Sequence, residues 1–232
     1  MSENFIFDDI DGQIRFKGDF EGFYKSSIDP WGQTSLSEDK SMNLFYSKSR
    51  ENLLEKIKII LPVFQQSNQP LIEIGCGLGY VSNLIQTHLN IKVIGLDISK
   101  TAIQKAQQNF PDIDFMLHDI SRETKSFANP SIVILSNILW YILEDIDLIT
   151  QNVTNLFDPL NSNPYVIISN AFFKENQKYG TSICDGFEGA IKLFHSKFEK
   201  LGLEINSIQA FLDSHKGMKY DDGIIIFSLK KN

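Results

Sequence analysis

The sequence predicts an α/β fold with a doubly wound, mostly parallel sheet of seven strands, an antiparallel C-terminal hairpin and an N-terminal helical lid. The first observation behind this prediction is that short apolar runs alternate with helical segments between residues 71 and 201. Such an alternation is typical of parallel sheets that carry helices on both faces. The second observation is that residues 204–229 contain two strand patterns with no helical pattern between them, which predicts an antiparallel pair.

The first 42 residues are the least regular part of the sequence and mix glycines with aromatic side chains. We expect residues 1–42 to form the lid and residues 43–232 to form the single folded domain. From Asn43 onward apolar residues recur at three- and four-residue steps, which predicts a helix that Pro62 ends.

The remaining elements follow from apolar runs and from helical spacing. Short apolar runs predict the five parallel strands, at 71–74, 92–96, 114–117, 131–135 and 165–169. Apolar residues at helical spacing predict helices over 80–89, from the N-cap Ser99 to Phe110, over 145–157 and over 187–201. Gly202 ends the last helix, and the final strand patterns cover 204–212 and 223–229.

The composition of the chain argues against several classes of binding partner. The chain has 22 Lys and Arg against 29 Asp and Glu, a net charge of −7, which argues against binding nucleic acid or an anionic membrane surface. No apolar run approaches the roughly 18 residues that would cross a bilayer, and the acidic start lacks the pattern of a signal peptide. The two cysteines, Cys76 and Cys184, form neither a disulfide framework nor a zinc cluster. We expect a cytoplasmic protein without a metal, acting on a small molecule as a monomer or homodimer.

Three strand ends carry the residues that indicate a ligand. In an open parallel sheet, ligands bind beyond the carboxyl ends of the strands. The first predicted strand ends in a glycine turn with Gly75 and Gly77, the second ends at Asp97, and the third is followed by Asp119. The glycines let a ligand approach the backbone, and a carboxylate after the second strand can accept both hydroxyls of a ribose. These residues together predict a nucleoside site.

The glycine spacing favours S-adenosylmethionine over NAD as the nucleoside cofactor. A dinucleotide fingerprint has the spacing G-x-G-x-x-G, whereas here the third glycine comes one place early and Tyr80 stands in its position. Glu73 also lies close to the turn, where it would repel a pyrophosphate, while Glu73, Asp97 and Asp119 suit a cofactor with an amine and a sulfonium. An NAD-dependent oxidoreductase and a non-catalytic nucleoside-binding protein of the same fold remain the alternatives.

Four segments in order, LIEIGCGLGY, IGLDIS, HDI and ILSNILWYI, resemble the class I S-adenosylmethionine-dependent methyltransferases over about residues 70–230. The stretch from Tyr24 to Trp31 with its DPWG, and Leu139-Trp140-Tyr141, are similar to the nodulation protein S branch and related small-molecule methyltransferases. This resemblance implies transfer of a methyl group to an O or N atom of a small molecule, in carbohydrate or secondary-metabolite synthesis.

The resemblance also implies a role for individual residues. The methionine part of the cofactor would be held at the glycine turn, the ribose by Asp97, and the adenine between Ile98, the Asp119 carboxylate and the Ile120 amide. The backbone of Ser136 or Asn137 would meet the cofactor's amino group. The full set of implied cofactor residues is Glu73, Gly75, Cys76, Gly77, Asp97, Ile98, Asp119, Ile120, Ser136 and Asn137.

Aromatic residues are expected to surround the acceptor. Tyr24 and Trp31 of the N-terminal segment would cover the cofactor or the acceptor, and Tyr46 and Trp140 would line the acceptor pocket. Tyr141 is the candidate catalytic base. Many members of the family carry a histidine near this position, and its absence here counts against a mechanism with a histidine base.

Overall fold

A seven-stranded sheet forms the centre of the computed structural model, which describes residues 4–35, 40–63, 69–122, 128–158, 164–174, 177–212 and 219–229. The strands in chain order are β1 Phe7–Ile10, β2 Gln13–Phe16, β3 Leu71–Ile74, β4 Val93–Asp97, β5 Asp114–Leu117, β6 Ile132–Ser136, β7 Tyr165–Phe173, β8 Leu203–Phe211 and β9 Tyr220–Leu229. The sheet order is β5-β4-β3-β6-β7-β9-β8. The first five strands in this order are parallel, and β9 runs antiparallel to both β7 and β8. The predicted fold class is confirmed.

Helices connect the parallel strands and cover both faces of the sheet. They are α1 Phe20–Ser26, α2 Lys40–Ile60, α3 Tyr80–Leu89, α4 Lys100–Asn109, α5 Leu139–Ile142, α6 Ile146–Asn155 and α7 Gly186–Glu199. The Ser99 side chain accepts a hydrogen bond from the Ala102 amide and caps α4, as the sequence predicts. Helix α2 begins at Lys40, slightly before the predicted start, and gives way to a single 3₁₀ turn at Leu61–Val63.

Alternate residues of each central strand enter two separate cores, because successive side chains of a strand point to opposite faces. Leu71 and Ile132 pack with Leu53 and Ile57 of α2 on one face. Ile72 on the neighbouring position packs on the other face, in a cluster that includes residues of α6 and α7. Strands β3, β4 and β6 are buried along their whole lengths, which leaves only their carboxyl ends for a ligand.

The N-terminal segment differs from the helical lid that the sequence predicts. Besides α1 it contains an antiparallel hairpin of β1 and β2, in which Ile10 pairs with Gln13 across the turn residues Asp11 and Gly12. Both turn residues have positive φ, 54° and 80°, as the Asp-Gly turns that favour two-residue hairpins do. Strand β1, FDDI, does not alternate apolar and polar residues, and β2, QIRF, alternates over four residues only. The Asp-Gly pair is therefore the clearest local indication of the hairpin.

The outer strand β8 is irregular. Its register against β9 shifts between Ile205 and Ser207, so Asn206 forms a bulge, and the Asn206 amide donates a hydrogen bond to Ser228 Oγ at 3.3 Å. None of the helices formed by the described residues is both long and apolar enough to span a bilayer.

Candidate functional site

A cavity of about 310 Å³, here called the strand-end cavity, lies over the carboxyl ends of β3, β4, β5 and β6. Its floor comes from these strand ends and its roof from the β1–β2 hairpin, α1 and the segment after α1. The volume lies at the lower end of the range of about 300–1,000 Å³ that is typical of small-molecule sites. The predicted residues that line it are Tyr24, Trp31, Tyr46, Gly75, Gly77, Asp97, Ile98, Asp119, Ile120, Ser136, Asn137 and Tyr141.

Asp97 is the carboxylate at the centre of the floor. It is only 6% exposed, and its two oxygens accept hydrogen bonds from the Gly77 amide at 2.9 Å and the Ser99 amide at 2.8 Å. Burial raises the pKa of Asp97 to about 6, against the opposing effect of the backbone hydrogen bonds. The carboxyl group is therefore mostly ionised at neutral pH and is held in a fixed orientation, with oxygen lone pairs left for a ligand.

The glycine turn brings the backbone close to the cavity. Gly75 has a φ of 74°, and a Cβ at this position would lie 2.3 Å from Cγ2 of Ile138. Gly77 has a φ of 52°, and a Cβ there would lie 2.6 Å from the Tyr24 hydroxyl. Both positions therefore require glycine for conformational and for steric reasons.

Glu73 and Cys76 do not line the cavity, unlike the other predicted cofactor residues. Glu73 is 2% exposed and accepts a hydrogen bond from Ser82 Oγ of α3, and burial raises its pKa to about 8. Its carboxyl group is therefore mostly protonated at neutral pH and supplies little of the negative charge that the sequence predicts for it. The Cys76 side chain packs among Ile103, Ala106 and other apolar residues, and burial raises the pKa of its thiol well above the usual value.

The end of β4 offers the cavity an apolar side chain, and the end of β5 offers it a polar one. Ile98 lines the cavity with 51% of its surface exposed, so it can pack against a flat ring. Asp119 accepts hydrogen bonds from the Ser121 amide and hydroxyl and from Nε of Arg122. Burial tends to raise the pKa of Asp119, but these hydrogen bonds outweigh it and the pKa is lowered. Asp119 is thus fully ionised at neutral pH.

Ser136 and Asn137 form the end of β6, where the chain turns sharply. Asn137 has a left-handed φ of 56°, its amide donates to the Ser169 carbonyl at 2.7 Å, and its Oδ1 accepts from the Ala171 amide at 3.2 Å. The Asn137 backbone amide is therefore used within the sheet. This leaves the carbonyl groups at this turn as the part of the backbone that can accept from a cofactor amine.

The N-terminal segment is fastened over the cavity by hydrogen bonds to α4. Glu21 of α1 accepts from Ser99 Oγ at 2.8 Å, the Thr101 amide at 3.0 Å and Thr101 Oγ1 at 2.7 Å. Lys105 of α4 donates to the carbonyls of Tyr24 and Ser27 at the other end of α1. These contacts, here called the α1–α4 clamp, hold α1 at both ends.

Tyr24 and Trp31 form the roof directly above the glycine turn. Trp31 Nε1 donates to the Tyr24 hydroxyl at 2.9 Å, and the Tyr24 hydroxyl faces Gly77. Burial, together with the charge of Asp97, raises the pKa of Tyr24 well above its usual value. Tyr24 is therefore a neutral hydroxyl that fixes the position of Trp31.

Tyr141 lines the strand-end cavity and lies in a group of aromatic rings. Its ring centroid is 5.4 Å from that of Phe20, 5.6 Å from that of Trp31 and 6.0 Å from that of Phe7. Burial raises its pKa well above the usual value of a tyrosine, so the phenol stays protonated at neutral pH. This environment counts against the role of catalytic base that the sequence analysis gives to Tyr141.

A second cavity of about 840 Å³, here called the aromatic cavity, adjoins the first. The predicted residue Trp140 lines only this second cavity, and its Nε1 donates to the Ala171 carbonyl at 2.9 Å. Trp31, Tyr46, Asn137 and Tyr141 line both cavities. The two cavities therefore meet at these four residues.

Several residues of the site were not predicted as site residues. Phe16 and Phe20 form the roof beside Tyr141, His118 and Asp145 line the strand-end cavity, and Glu21 makes the clamp. His118 directly follows β5, so its position at a strand end could have indicated it. The other four depend on how the N-terminal segment and α6 fold back over the sheet, and no local pattern carries that information.

Comparison with known proteins finds a similar domain family, a similar sequence and similar folds. Residues 71–160 match the methyltransferase domain family. Protein 235L of Invertebrate iridescent virus 6, which bears the name of a methyltransferase, is 32% identical over 99 residues, or 42% of this chain and 34% of the viral protein. The chain thus spans about a third of the length of that curated relative.

Two solved structures share the fold. Magnesium protoporphyrin IX methyltransferase from Synechocystis, determined with bound S-adenosylmethionine, has a TM-score of 0.65 at 15% identity, covering 90% of this chain and 95% of that one. The N-methyltransferase NodS from Bradyrhizobium japonicum has a TM-score of 0.54 at 16% identity, covering 76% of this chain and 96% of that one. Residues 71–160 are therefore similar to a methyltransferase domain, and the chain has the fold of the class I S-adenosylmethionine-dependent methyltransferases.

Proposed function

We propose that the chain is an S-adenosylmethionine-dependent methyltransferase that transfers a methyl group to an O or N atom of a small molecule. The observation that carries this proposal is the buried, ionised Asp97 carboxylate, which is oriented by the Gly77 and Ser99 amides at the floor of the strand-end cavity. A carboxylate fixed in this way can accept two hydrogen bonds from the hydroxyls of a ribose.

The residues of the strand-end cavity fit this cofactor by charge and shape. Among the described residues, the cavity lining includes Asp97, Asp119 and Asp145 and a single lysine, Lys17. Such a negative environment stabilises a sulfonium and an amine. Asp97 would hold the ribose, Ile98 the adenine, and the turn at Gly75 and Gly77 the methionine part. The cofactor supplies a methyl group that its sulfonium already activates.

The chain's own contribution to the reaction is to align the reactants and exclude water. Methyl transfer requires the acceptor atom, the methyl carbon and the sulfur in line, and such alignment can contribute about 7–11 kcal/mol. The α1–α4 clamp and the Tyr24–Trp31 pair close the cofactor side, while the aromatic cavity offers space for the acceptor next to it. The names of two proteins of this fold, a porphyrin methyltransferase and an N-methyltransferase, support a small-molecule acceptor, which we place in carbohydrate or secondary-metabolite synthesis.

The NAD-dependent oxidoreductase is not favoured. Residues 71–160 match a methyltransferase domain, and the third glycine of the turn, Gly79, comes too early for the dinucleotide fingerprint. A non-catalytic nucleoside-binding protein would bind the same cofactor but would not transfer its methyl group, so measured turnover separates that alternative from the proposal.

Calorimetry with S-adenosylhomocysteine, S-adenosylmethionine and NAD tests the proposal. We expect the first two to bind and NAD not to bind; the reverse result would overturn the proposal. Asp97→Ala should weaken binding of S-adenosylhomocysteine by about 1.5–3 kcal/mol for each hydrogen bond lost to the charged group. Asp112→Ala, which removes an exposed aspartate before β5, is the matched control and should bind normally.

A further inference from the structure

We propose that the methyl acceptor is a carboxylic acid with an aromatic or otherwise apolar body, and that the product is its methyl ester. This inference rests on the proposed function, because it takes the strand-end cavity as the cofactor site and the aromatic cavity as the acceptor site. Three properties of the two cavities support it: their opposite charge, the chemistry of the residues that they share, and the apolar walls of the larger cavity.

The two cavities have opposite charge. The strand-end cavity carries three aspartates and one lysine, whereas the described lining of the aromatic cavity carries Lys174, Lys178 and Lys219 and no acidic side chain. Lys174 Nζ lies 3.5 Å from Asp221 Oδ1, so the positive charge of Lys174 is partly balanced. Lys178 and Lys219 are exposed at the rim and have no ion pair with the described residues. A basic cavity in a chain of net charge −7 favours an anionic acceptor over a cationic amine.

The described residues at the junction of the two cavities include no group that could remove a proton at neutral pH. It is formed by an indole, two phenols and an amide, those of Trp31, Tyr46, Tyr141 and Asn137. Burial raises the pKa of both phenols above the usual value. Both phenols therefore stay protonated at neutral pH and cannot act as a base. An alcohol or an ammonium group would have to lose a proton before or during transfer, so an acceptor that is already deprotonated suits this junction.

A carboxylate meets this requirement because its pKa of about 4 leaves it ionised at neutral pH. A lone pair of the carboxylate oxygen forms the new C–O bond, and the bond between the methyl carbon and sulfur breaks. The electron pair of that bond stays on sulfur, which becomes a neutral thioether. No proton moves, and the methyl ester that forms carries no charge on its reacting group.

The walls of the aromatic cavity suit an apolar body. They include Trp140, Phe173, Tyr179 and Tyr220, with polar amides of Asn170 and Gln177 among them. The volume of about 840 Å³ lies in the upper part of the range for small-molecule sites and has room for a fused ring system. Aromatic walls of this kind pack against flat apolar groups.

Three probes with one skeleton separate the acceptor classes: naphthylacetic acid, naphthylethanol and naphthylethylamine. Their binding is measured by calorimetry on the protein saturated with S-adenosylhomocysteine. We expect the acid to bind about tenfold more tightly than the alcohol, and the amine to bind least, because charged hydrogen bonds are stronger than neutral ones. Binding of the acid that is no tighter than that of the alcohol, or no binding of any probe, would overturn the inference.

A charge-reversal variant tests the position of the acid group. Lys178→Glu combined with Lys219→Glu should weaken binding of the acid about fivefold or more and leave that of the alcohol unchanged. Lys192→Glu combined with Lys200→Glu changes the net charge equally on the exposed surface near α7 and should have no effect. An equal loss in both variants would overturn the role of the cavity lysines.

The type of product gives an independent result. With tritiated methyl groups on the cofactor, a methyl ester releases labelled methanol on alkaline treatment, while a methyl ether or methylamine does not. Label transferred to the alcohol or amine probe in preference to the acid would overturn the inference. Binding of S-adenosylhomocysteine alone distinguishes the proposed function from the acceptor class. If S-adenosylhomocysteine does not bind, the proposed function is contradicted. If it binds but the acid probe is not preferred, only the acceptor class is contradicted.

Discussion

At the scale of single residues, the contact between Gly77 and Tyr24 joins the glycine turn to the roof of the cavity. A Cβ on residue 77 would lie 2.6 Å from the Tyr24 hydroxyl and 3.6 Å from its Cζ. Most of the steric conflict therefore comes from one oxygen atom, which also accepts the hydrogen bond from Trp31.

Gly77→Ala should destabilise the fold by about 1–2 kcal/mol through its left-handed φ alone, with a further loss from the contact with Tyr24. Adding Tyr24→Phe removes the conflicting oxygen, so the double variant should be more stable than the sum of the two single losses predicts. Urea unfolding of the four proteins measures this coupling. Strict additivity would mean that the two residues do not touch in solution.

Binding of the cofactor should depend on pH through Asp97. Because burial raises the pKa of Asp97 to about 6, its carboxyl group takes up a proton as the pH falls through that value and loses its capacity to accept from a ribose. Affinity for S-adenosylhomocysteine should therefore be constant above neutral pH and decrease below about pH 6. Calorimetry across this range checks the expectation, and Asp97→Asn should remove the pH dependence.

The residues at the strand ends were predictable to different degrees. Asp97 and Gly77 could be identified because their roles depend on the backbone at a strand end, which a short apolar run locates well. Glu73 could not, because its environment is set by Ser82 of α3 and by the packing of that helix on β3. Its burial, and hence its neutral state, depends on tertiary contacts that the sequence motif does not contain.

At the scale of elements, α1 stays in place through the α1–α4 clamp. Glu21 accepts from the N-terminal end of α4, where helix amides and the helix dipole stabilise a negative charge. The backbone hydrogen bond from Thr101 is the main cause that lowers the pKa of Glu21 to about 2, against the opposing effect of burial. The clamp therefore remains charged at every pH at which the protein is expected to work.

Glu21→Gln should loosen α1 without unfolding the sheet. We expect amides of residues 20–26 to exchange hydrogen about two- to fivefold faster and S-adenosylhomocysteine to dissociate faster by a similar factor, because a partly exposed charged contact is worth little more. Hydrogen-exchange mass spectrometry and stopped-flow measurements give both rates. Glu188→Gln, an exposed glutamate in the first turn of α7, is the matched control. Unchanged exchange in α1 would show that the clamp does not hold it.

The elements of the sheet and a helix in the roof followed from the sequence, while the hairpin of the roof did not. Buried parallel strands are uninterrupted apolar runs, such as Leu71–Ile74, and apolar periodicity detects them directly. The hairpin of β1 and β2 has exposed and half-buried positions and packs through single aromatic residues, among them Phe7 and Phe16. Its place over the cavity results from contacts between distant segments, which local patterns do not specify.

At the scale of the whole molecule, buried acids set the pH dependence of stability. Glu73 has a pKa of about 8 in the folded chain against 4.5 for an exposed glutamate. The contribution of Glu73 to the free energy of unfolding is fully present below about pH 4.5 and is lost as the pH rises through about 8. The reason is that the unfolded chain releases the proton of this carboxyl group at a lower pH than the folded chain does. The folded state should therefore become less stable over this range.

Glu73→Gln should remove most of this loss, because glutamine is uncharged in both states and can still accept from Ser82 Oγ. Relative to the parent protein, the variant should gain on the order of a few kcal/mol between about pH 5 and pH 9. Urea unfolding at several pH values measures the difference. Glu55→Gln, an exposed glutamate of α2, should follow the parent curve. A parent and a Glu73→Gln variant with parallel pH curves would contradict the neutral state of Glu73.

The net charge of the chain says little about its cavities. A total of −7 conceals a negative cavity and a basic one next to each other, because charge is distributed by the fold and not by the order of residues along the chain. The preference for a cationic cofactor could be inferred from motifs at strand ends. The basic character of the neighbouring cavity could be seen only in the structure, because its lysines, at positions 174, 178 and 219, come from separate parts of the sequence.

The bulge at Asn206 has a consequence for the protein in concentrated solution. Strand β8 forms an outer edge of the sheet, and a regular edge would offer its unpaired amides and carbonyls to a strand of another chain. The bulge disrupts the regular spacing of those groups and increases the twist of the strand. A bulge at this position makes β8 a poorer template for edge-to-edge pairing, so variants of this protein should keep Asn206.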